Sequence, residues 1–275
     1  MAKGDKIKSG QSSKIEREKL QPLDQLFANL KQGPSEHADV IRNLESGRYG
    51  RFSKTADEEY SEAVAHWLGG WGMLYHGWEG WREEPKQQLQ DDWAYMREKL
   101  KDSILVDLGC GARLASGFMF GTMDKYSIAA YVGVDRYAWP DTSYDPTLNQ
   151  WKKNDNRKLI RSGMPPIAKV HADMLDFVAR LPDNSVNFVL NGIDRFVIST
   201  GSEYHRTLAK EMIRALKPGG IICGADFTAI SHLFDSNEVR DLGLRRHHLP
   251  SSRRDFECFE KIIPDKQQGE FGLRS

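Results

Sequence analysis

Ile104-Leu105-Val106-Asp107-Leu108-Gly109-Cys110-Gly111-Ala112 is the stretch on which the reading of this chain turns. Apolar residues run into an acid, two glycines follow two positions apart, and the next segment can start a helix. A buried strand ending in a Gly-rich turn lets the backbone approach a ligand closely, because glycine carries no Cβ. The helix that follows aims its unpaired N–H groups at the same place. About 24 residues past Gly111, Tyr131-Val132-Gly133-Val134-Asp135 reads as a second strand ending in an acid. That is the spacing expected for a carboxylate that binds a ribose. Together the two stretches predict a site for a nucleoside-type cofactor.

The dinucleotide fingerprint would need a third glycine at position 114, where the chain has Leu114. Asp107 also stands where a dinucleotide-binding strand would continue with an apolar residue. A carboxylate beside the turn repels a pyrophosphate but suits a ligand carrying an amino group or a sulfonium.

In these features the chain resembles the class I S-adenosylmethionine-dependent methyltransferases. Asp107, Gly109 and Gly111 match the family's acid-x-Gly-x-Gly motif, and Asp135 matches the acid that ends its second strand. His171-Ala172-Asp173-Met174 matches the acid and apolar residue around the adenine. Ser185-Val186-Asn187-Phe188-Val189-Leu190-Asn191 matches the fourth strand, and Leu216-Lys217-Pro218-Gly219-Gly220-Ile221-Ile222 the link into the fifth. The resemblance spans about residues 100 to 262 and departs from the pattern at Arg113, where a third glycine is common. It implies a Rossmann-like α/β fold: a mostly parallel seven-stranded sheet with helices on both faces, plus an N-terminal helical extension. It also implies S-adenosyl-L-methionine as cofactor. Asp107 would then hold the Gly109-Cys110-Gly111 loop or the cofactor's amino group, Asp135 would take the ribose, and Arg136 beside it would also contact the cofactor. Asp173 and Met174 would take the adenine, with Asp176 as an alternative acid, while Asn191 would face ligand or substrate.

Composition sets outer bounds. The 275 residues are 39% hydrophobic, enough for one sizeable core with an appended helical region. Lys+Arg and Asp+Glu both total 39, so no global field favours nucleic acid or an anionic membrane. A small-molecule acceptor is therefore preferred over nucleic acid. Cys110, Cys223 and Cys258 lie far apart with no C-x-x-C spacing, which argues against zinc and for buried reduced thiols. No metal site is expected. No apolar run approaches the ~18 residues of a membrane span, and Met1-Ala2-Lys3-Gly4-Asp5-Lys6 lacks the apolar core of a signal peptide. A soluble cytoplasmic protein is the expectation, and the oligomeric state is left open.

The organisation reads as four parts. Residues 1–20 are polar, charged and expected to be disordered. Residues 21–100 are helical in patches, broken near Gly33-Pro34 and by several glycines between 69 and 80. Residues 101–265 alternate strand and helix and form the cofactor-binding domain, and 266–275 are a tail. Within that domain the spacing predicts a helix from about Ser202 to Leu216, with Tyr204, Leu208, Met212 and Leu216 on one face. It also predicts a closing hairpin from strands near Leu244–Leu249 and Phe256–Ile262.

Five of the seven tryptophans, Trp67, Trp71, Trp78, Trp81 and Trp93, fall in the N-terminal helical region beside Tyr60, Tyr75 and His76. They suit either a lid over the sulfonium or ordinary packing against the sheet, with packing favoured. Methyl transfer needs alignment more than a strong catalyst, and a base only where the acceptor carries a proton. His66, His76, Asp194 and His205 are the candidates; the catalytic group is otherwise unassigned. Asn191-Gly192-Ile193-Asp194 lacks the Asn/Asp-Pro-Pro-Tyr/Phe signature with which amino-methylating nucleic-acid enzymes of the family hold an exocyclic amine. Arg245, Arg246, His247, His248, Arg253 and Arg254 cluster across the hairpin and suit either RNA backbone or plain solvation. An RNA or protein methyltransferase, or a non-catalytic binding protein on the same fold, therefore stand as alternatives.

Overall fold

A computed structural model describes residues 5–33, 35–41, 94–109, 128–135, 143–144, 165–190, 203–224, 234–247 and 257–263. Helix α1 spans Asp5–Ala28 and helix α2 residues 94–100. Then follow β1 (Ile104–Leu108), β2 (Ala130–Asp135), β3 (Ser143–Tyr144), β4 (Ile167–His171) and α3 (Met174–Arg180). The chain continues through β5 (Asn187–Leu190), α4 (Glu203–Ala215), β6 (Ile221–Gly224), α5 (Ser236–Asp241), β7 (Leu244–His247) and β8 (Glu257–Lys261).

The eight strands make one sheet in the order β3-β4-β2-β1-β5-β6-β8-β7. The pairs from β3 across to β6 are all parallel, and β8 runs antiparallel between β6 and β7. Seven of these strands form the expected Rossmann-like sheet. The eighth is the two-residue β3, which joins the open edge of β4 through Ser143 opposite Lys169 and Tyr144 opposite Val170. The closing hairpin also forms, and its last strand slots inside the sheet.

The central strands read as near-continuous apolar runs because both faces are covered. Period-two alternation sends Val106 and Leu108, Val132 and Val134, Phe188 and Leu190, Ile222, and Phe259 into one buried cluster. Leu175 and Val178 of α3 and Leu208 and Met212 of α4 complete it. Burying each such side chain stabilises the fold by about 1.5–3 kcal/mol. The predicted face of α4 is observed: Tyr204, Leu208 and Met212 are all buried, as is Leu216 just beyond the helix. The helix stops where Pro218 and Gly219 follow, with Gly219 at φ +67°. On the opposite face the buried Asn187 amide ties three elements together. Its nitrogen donates to Lys99 O (3.1 Å) and Ser103 Oγ (2.8 Å), and its oxygen accepts from Ile221 N–H (2.8 Å).

Helix α1 starts at Asp5, inside the polar stretch 1–20. Lys, Glu, Gln and Arg have good helix propensity even where they have nothing to bury against. Among the side chains described, burial starts at Leu20 and continues through Leu23, Leu26, Phe27 and Leu30; Ile15 stays 52% exposed. Pro22 lies inside α1, where it supplies no N–H, between the buried Leu20 and Leu23. The chain then breaks at Gly33 (φ +99°), as predicted, and Arg180 of α3 donates to the Gly33 carbonyl at 2.7 Å. No helix among the described residues is long and apolar enough to cross a membrane.

Candidate functional site

From β1 the chain winds outward through β2 to β4, then returns to the other side of β1 to lay down β5 and β6. The reversal puts the topological switch point at the carboxyl ends of β1 and β5, the place where open α/β sheets bind ligands. β1 and β2 end there together, with Asp107 in register with Gly133 and Leu108 with Val134. Gly109 opens the turn at φ +71°, and its N–H donates to Val134 O at 2.9 Å. A side chain at position 109 would be strained in that conformation, so the first glycine of the motif is required by the turn itself.

Asp107 is 1% exposed, and the buried Tyr131 hydroxyl donates to its Oδ2. The carboxylate is thus held from the neighbouring strand while Gly133, in register with it, adds no side chain on that face. Burying a carboxylate is costly without partners, so this bond is part of what keeps an acid in the central strand. Sequence reading passed over Tyr131. Its signal was an aromatic hydroxyl two residues before Gly133 in an otherwise apolar strand. Asp135 is the last residue of β2, opposite His171 of β4, with its backbone at the same end of the sheet.

At the end of β4, Asp173 caps α3. Its Oδ1 accepts from Leu175 N–H (2.8 Å) and Asp176 N–H (3.3 Å). The Tyr204 hydroxyl donates to the same carboxylate, 3.0 Å from Oδ1 and 3.1 Å from Oδ2. Asp176 is turned to Arg180, with bonds of 3.0 and 3.1 Å. Of the two acids considered for the adenine, Asp173 therefore sits at the strand end and Asp176 is spent on its own helix. Met174 is the first residue of α3, partly buried against the core. From sequence Tyr204 is a packing residue on the apolar face of α4; its bond to Asp173 depends on how α4 and α3 pack together.

His205, next along α4, is fully buried and meets Tyr204 edge-to-face at 5.3 Å. Desolvation pushes its pKa down to about 4, so the ring is neutral at ordinary pH. Such a histidine is an enclosed core group and a poor proton acceptor.

The basic cluster on the hairpin is partly internal. Arg245 donates to Glu260 at 2.7 Å, and Lys99 of α2 donates to the other oxygen at 2.6 Å. Burial pushes the Glu260 pKa upward, but the bonds from Arg245 and Lys99 outweigh it and hold the carboxyl below its usual range. The His247 ring stacks on Tyr95 at 3.7 Å. Among the described residues one group of potential metal ligands comes close together, Glu36, His37 and Glu211. Its Glu211 carboxylate is bonded by Arg214 at 2.6 Å and faces His37 Nε2 at 3.3 Å, which makes an ion-pair network.

Cys110, Gly111, Arg113, Arg136, Asn191 and Asp194 lie outside the described residues. So do the Asp135 side chain, His66, His76, Tyr60, Tyr75, the five N-terminal tryptophans, His248, Arg253 and Arg254.

No protein-family model matches the sequence, and no curated protein matches it. Among solved structures it is similar to the 1,6-didemethyltoxoflavin-N1-methyltransferase of Burkholderia thailandensis, crystallised with S-adenosylhomocysteine. That match has a TM-score of 0.38 and 14% identity, covering 76% of this chain and 90% of the other. It is also similar to the N-methyltransferase NodS of Bradyrhizobium japonicum WM9 (TM-score 0.38, 13% identity, 65% and 96% covered). A third is an rRNA methylase of Streptococcus thermophilus (TM-score 0.37, 13% identity, 66% and 99% covered). At these TM-scores the likenesses bear on neither activity nor substrate; the strand order and its switch point define the Rossmann-like fold.

Proposed function

We propose that this protein is an S-adenosylmethionine-dependent methyltransferase that methylates an oxygen, nitrogen or carbon of a small molecule. One observation carries the reading. Asp107, one residue before the end of β1, and Asp135, the last residue of β2, lie on adjacent central strands at the switch point, with the Gly109 turn bonded to β2. A buried carboxylate and a glycine turn suit an amino acid end bearing an ammonium, and a strand-end acid suits vicinal ribose hydroxyls. When bound, the cofactor supplies an already activated methyl group. The chain's task is to bind and align: Asp107 with Gly109, Cys110 and Gly111 at the amino acid end, and Asp135 with Arg136 at the ribose. Asp173 and Met174 belong at the adenine and Asn191 at the rim. Capping does not bar Asp173 from this, because an ionised carboxylate has about four acceptor sites. His66, His76 and Asp194 remain the candidate bases, since His205 is enclosed and neutral.

The alternative of an RNA or protein substrate draws on the Arg/His cluster. Arg245 is already paired with Glu260, which reduces what that cluster offers a phosphate. A non-catalytic binding protein would keep the cofactor site without turnover.

Calorimetry should detect binding of S-adenosylmethionine and S-adenosylhomocysteine and none of NAD. Comparable NAD binding would sink the cofactor assignment. In a fractionated extract, radioactive methyl should appear in the small-molecule fraction; label in RNA or protein, or none, selects an alternative. Asp135→Ala should weaken cofactor affinity by on the order of ten- to a hundredfold, because charge-assisted bonds are worth roughly 1.5–3 kcal/mol each. Wild-type affinity in that variant, at an unchanged melting temperature, would remove Asp135 from the site.

A further inference from the structure

Cys223 of β6 and Cys258 of β8 are register partners on adjacent antiparallel strands. Two of the chain's three cysteines thus meet directly, though 35 positions separate them in sequence. The kind of pairing matters. The Lys261 N–H donates to Gly220 O at 2.9 Å across the same two strands. Bonded and non-bonded pairs alternate along an antiparallel ladder, so Cys223 and Cys258 occupy a non-bonded pair. The other side of β8 agrees: Ile262 N–H donates to Gly243 O at 2.7 Å, which makes Cys258 and His247 a bonded pair, as alternation demands.

In a non-bonded antiparallel pair the Cα atoms lie ~4.5 Å apart and the side chains rise from the same face; the Cys223 thiol here donates to Phe188 O of β5 at 3.7 Å, so a rotation about its Cα–Cβ bond brings the sulfur over to Cys258. Disulfides span Cα separations of about 4.4–6.8 Å. The backbone therefore already has the geometry of a cross-strand bridge, at its short and strained end. Both thiols are buried and reduced in this structure. Burial first, and then the neighbouring Cys258, push the Cys223 thiol well above its ordinary pKa, so it is no ready thiolate in the resting fold. His247 of the edge strand β7 pairs with Cys258, and Tyr95 of α2 stacks on that histidine.

We propose that Cys223 and Cys258 form a redox modification site, closed by peroxide to a cross-strand disulfide and reopened by thiol reductants. Peroxide first oxidises the Cys258 thiol to a sulfenic acid and is itself reduced to one water. The Cys223 sulfur then attacks the Cys258 sulfur; the S–S bond forms, the S–O bond breaks, and a second water leaves with the Cys223 proton. Reaction waits for β7 and Tyr95 to lift from Cys258, so its rate follows local opening of the sheet edge. A bridge formed at the short end of the permitted span is readily reduced, which is the property that separates regulatory disulfides from structural ones.

The test uses the reduced full-length protein, hydrogen peroxide, trapping with N-ethylmaleimide under denaturing conditions, intact mass and peptide mapping. The expected product is two hydrogens lighter, carries one Cys223–Cys258 link, labels only at Cys110, and returns to three labelled thiols with dithiothreitol. Cys223→Ser removes the resolving thiol, so peroxide should leave a Cys258 sulfenic acid that dimedone captures. Three labelled thiols at a peroxide dose that closes an exposed reference dithiol would overturn the proposal. A link through Cys110, or an absence of dimedone adduct in folded Cys223→Ser, would do the same.

Discussion

Lowering the pH should destabilise this protein through His205 by an amount the structure sets. The residue is fully buried on α4, and desolvation lowers its pKa to about 4 from an ordinary value of 6.5. The folded state therefore resists protonation that the unfolded chain accepts. Stability is complete above the unfolded value and is lost as pH falls towards the folded one. At 1.36 kcal/mol per unit, the whole offset is worth on the order of 3 kcal/mol. Roughly 2 kcal/mol of that should already be gone near pH 5, where the unfolded histidine is almost fully charged and the folded one is not. His205→Gln keeps a neutral polar side chain and removes the titration. Urea unfolding of both proteins near pH 7.5 and pH 5 isolates the effect, because every other titrating group is shared. Wild type should lose about 2 kcal/mol more than the variant across that interval. Parallel losses in the two proteins would mean that the enclosed ring either leaves its site on protonation at no cost or is already charged.

Three further outcomes follow from packing. Arg214→Met should lower stability by roughly 2–3 kcal/mol, because the guanidinium bonds Glu211, Asp183 and the carbonyls of Val178, Ala179 and Leu181 where α3 ends; an unchanged denaturation midpoint would show those bonds to be replaceable by water. Gly220→Ala should cost about 1–3 kcal/mol, since the new Cβ meets Asn187 Oδ1 and lies 2.8 Å from the Lys217 carbonyl oxygen; a wild-type melting temperature would mean the Lys217 turn yields freely. Removing residues 1–19 should change stability by less than about 1 kcal/mol, because the Lys14–Glu18 pair is exposed and, among the side chains described, the first buried one is Leu20; a larger fall would show that the start of α1 docks on the body.

The fold was legible because its signals are local. Apolar runs ending in glycine or acid, and the Pro218-Gly219 stop after α4, each report on one element, and their order limits the sheet to few topologies. The chemistry of the site was legible only along the chain. Asp107 and Gly109 could be read from one turn, whereas the Tyr131 hydroxyl reaches Asp107 across the register of two strands. Tyr204 reaches Asp173 from a helix 31 positions away. The capping of α3 by Asp173 could have been read, since an acid before an apolar run is a good N-cap; the family resemblance drew attention to the adenine instead. At the N-terminus two local signals speak to different properties. Low hydrophobicity bears on whether a segment buries surface, and propensity on whether its backbone coils, and there the two diverge.

The placement of β8 has a consequence for the order in which the molecule can be completed. β6 and β7 are both translated before Glu257–Lys261, yet neither touches the other, because that later strand lies between them. Until it leaves the ribosome, the hydrogen-bonding edge of β6 is bare, and β7 has no neighbour to bond. A stalled or proteolysed chain ending between residues 247 and 257 therefore presents an apolar, unpaired strand that can recruit the same strand from another copy. Fragments of that length should be found in inclusion bodies, while the full chain closes its own gap.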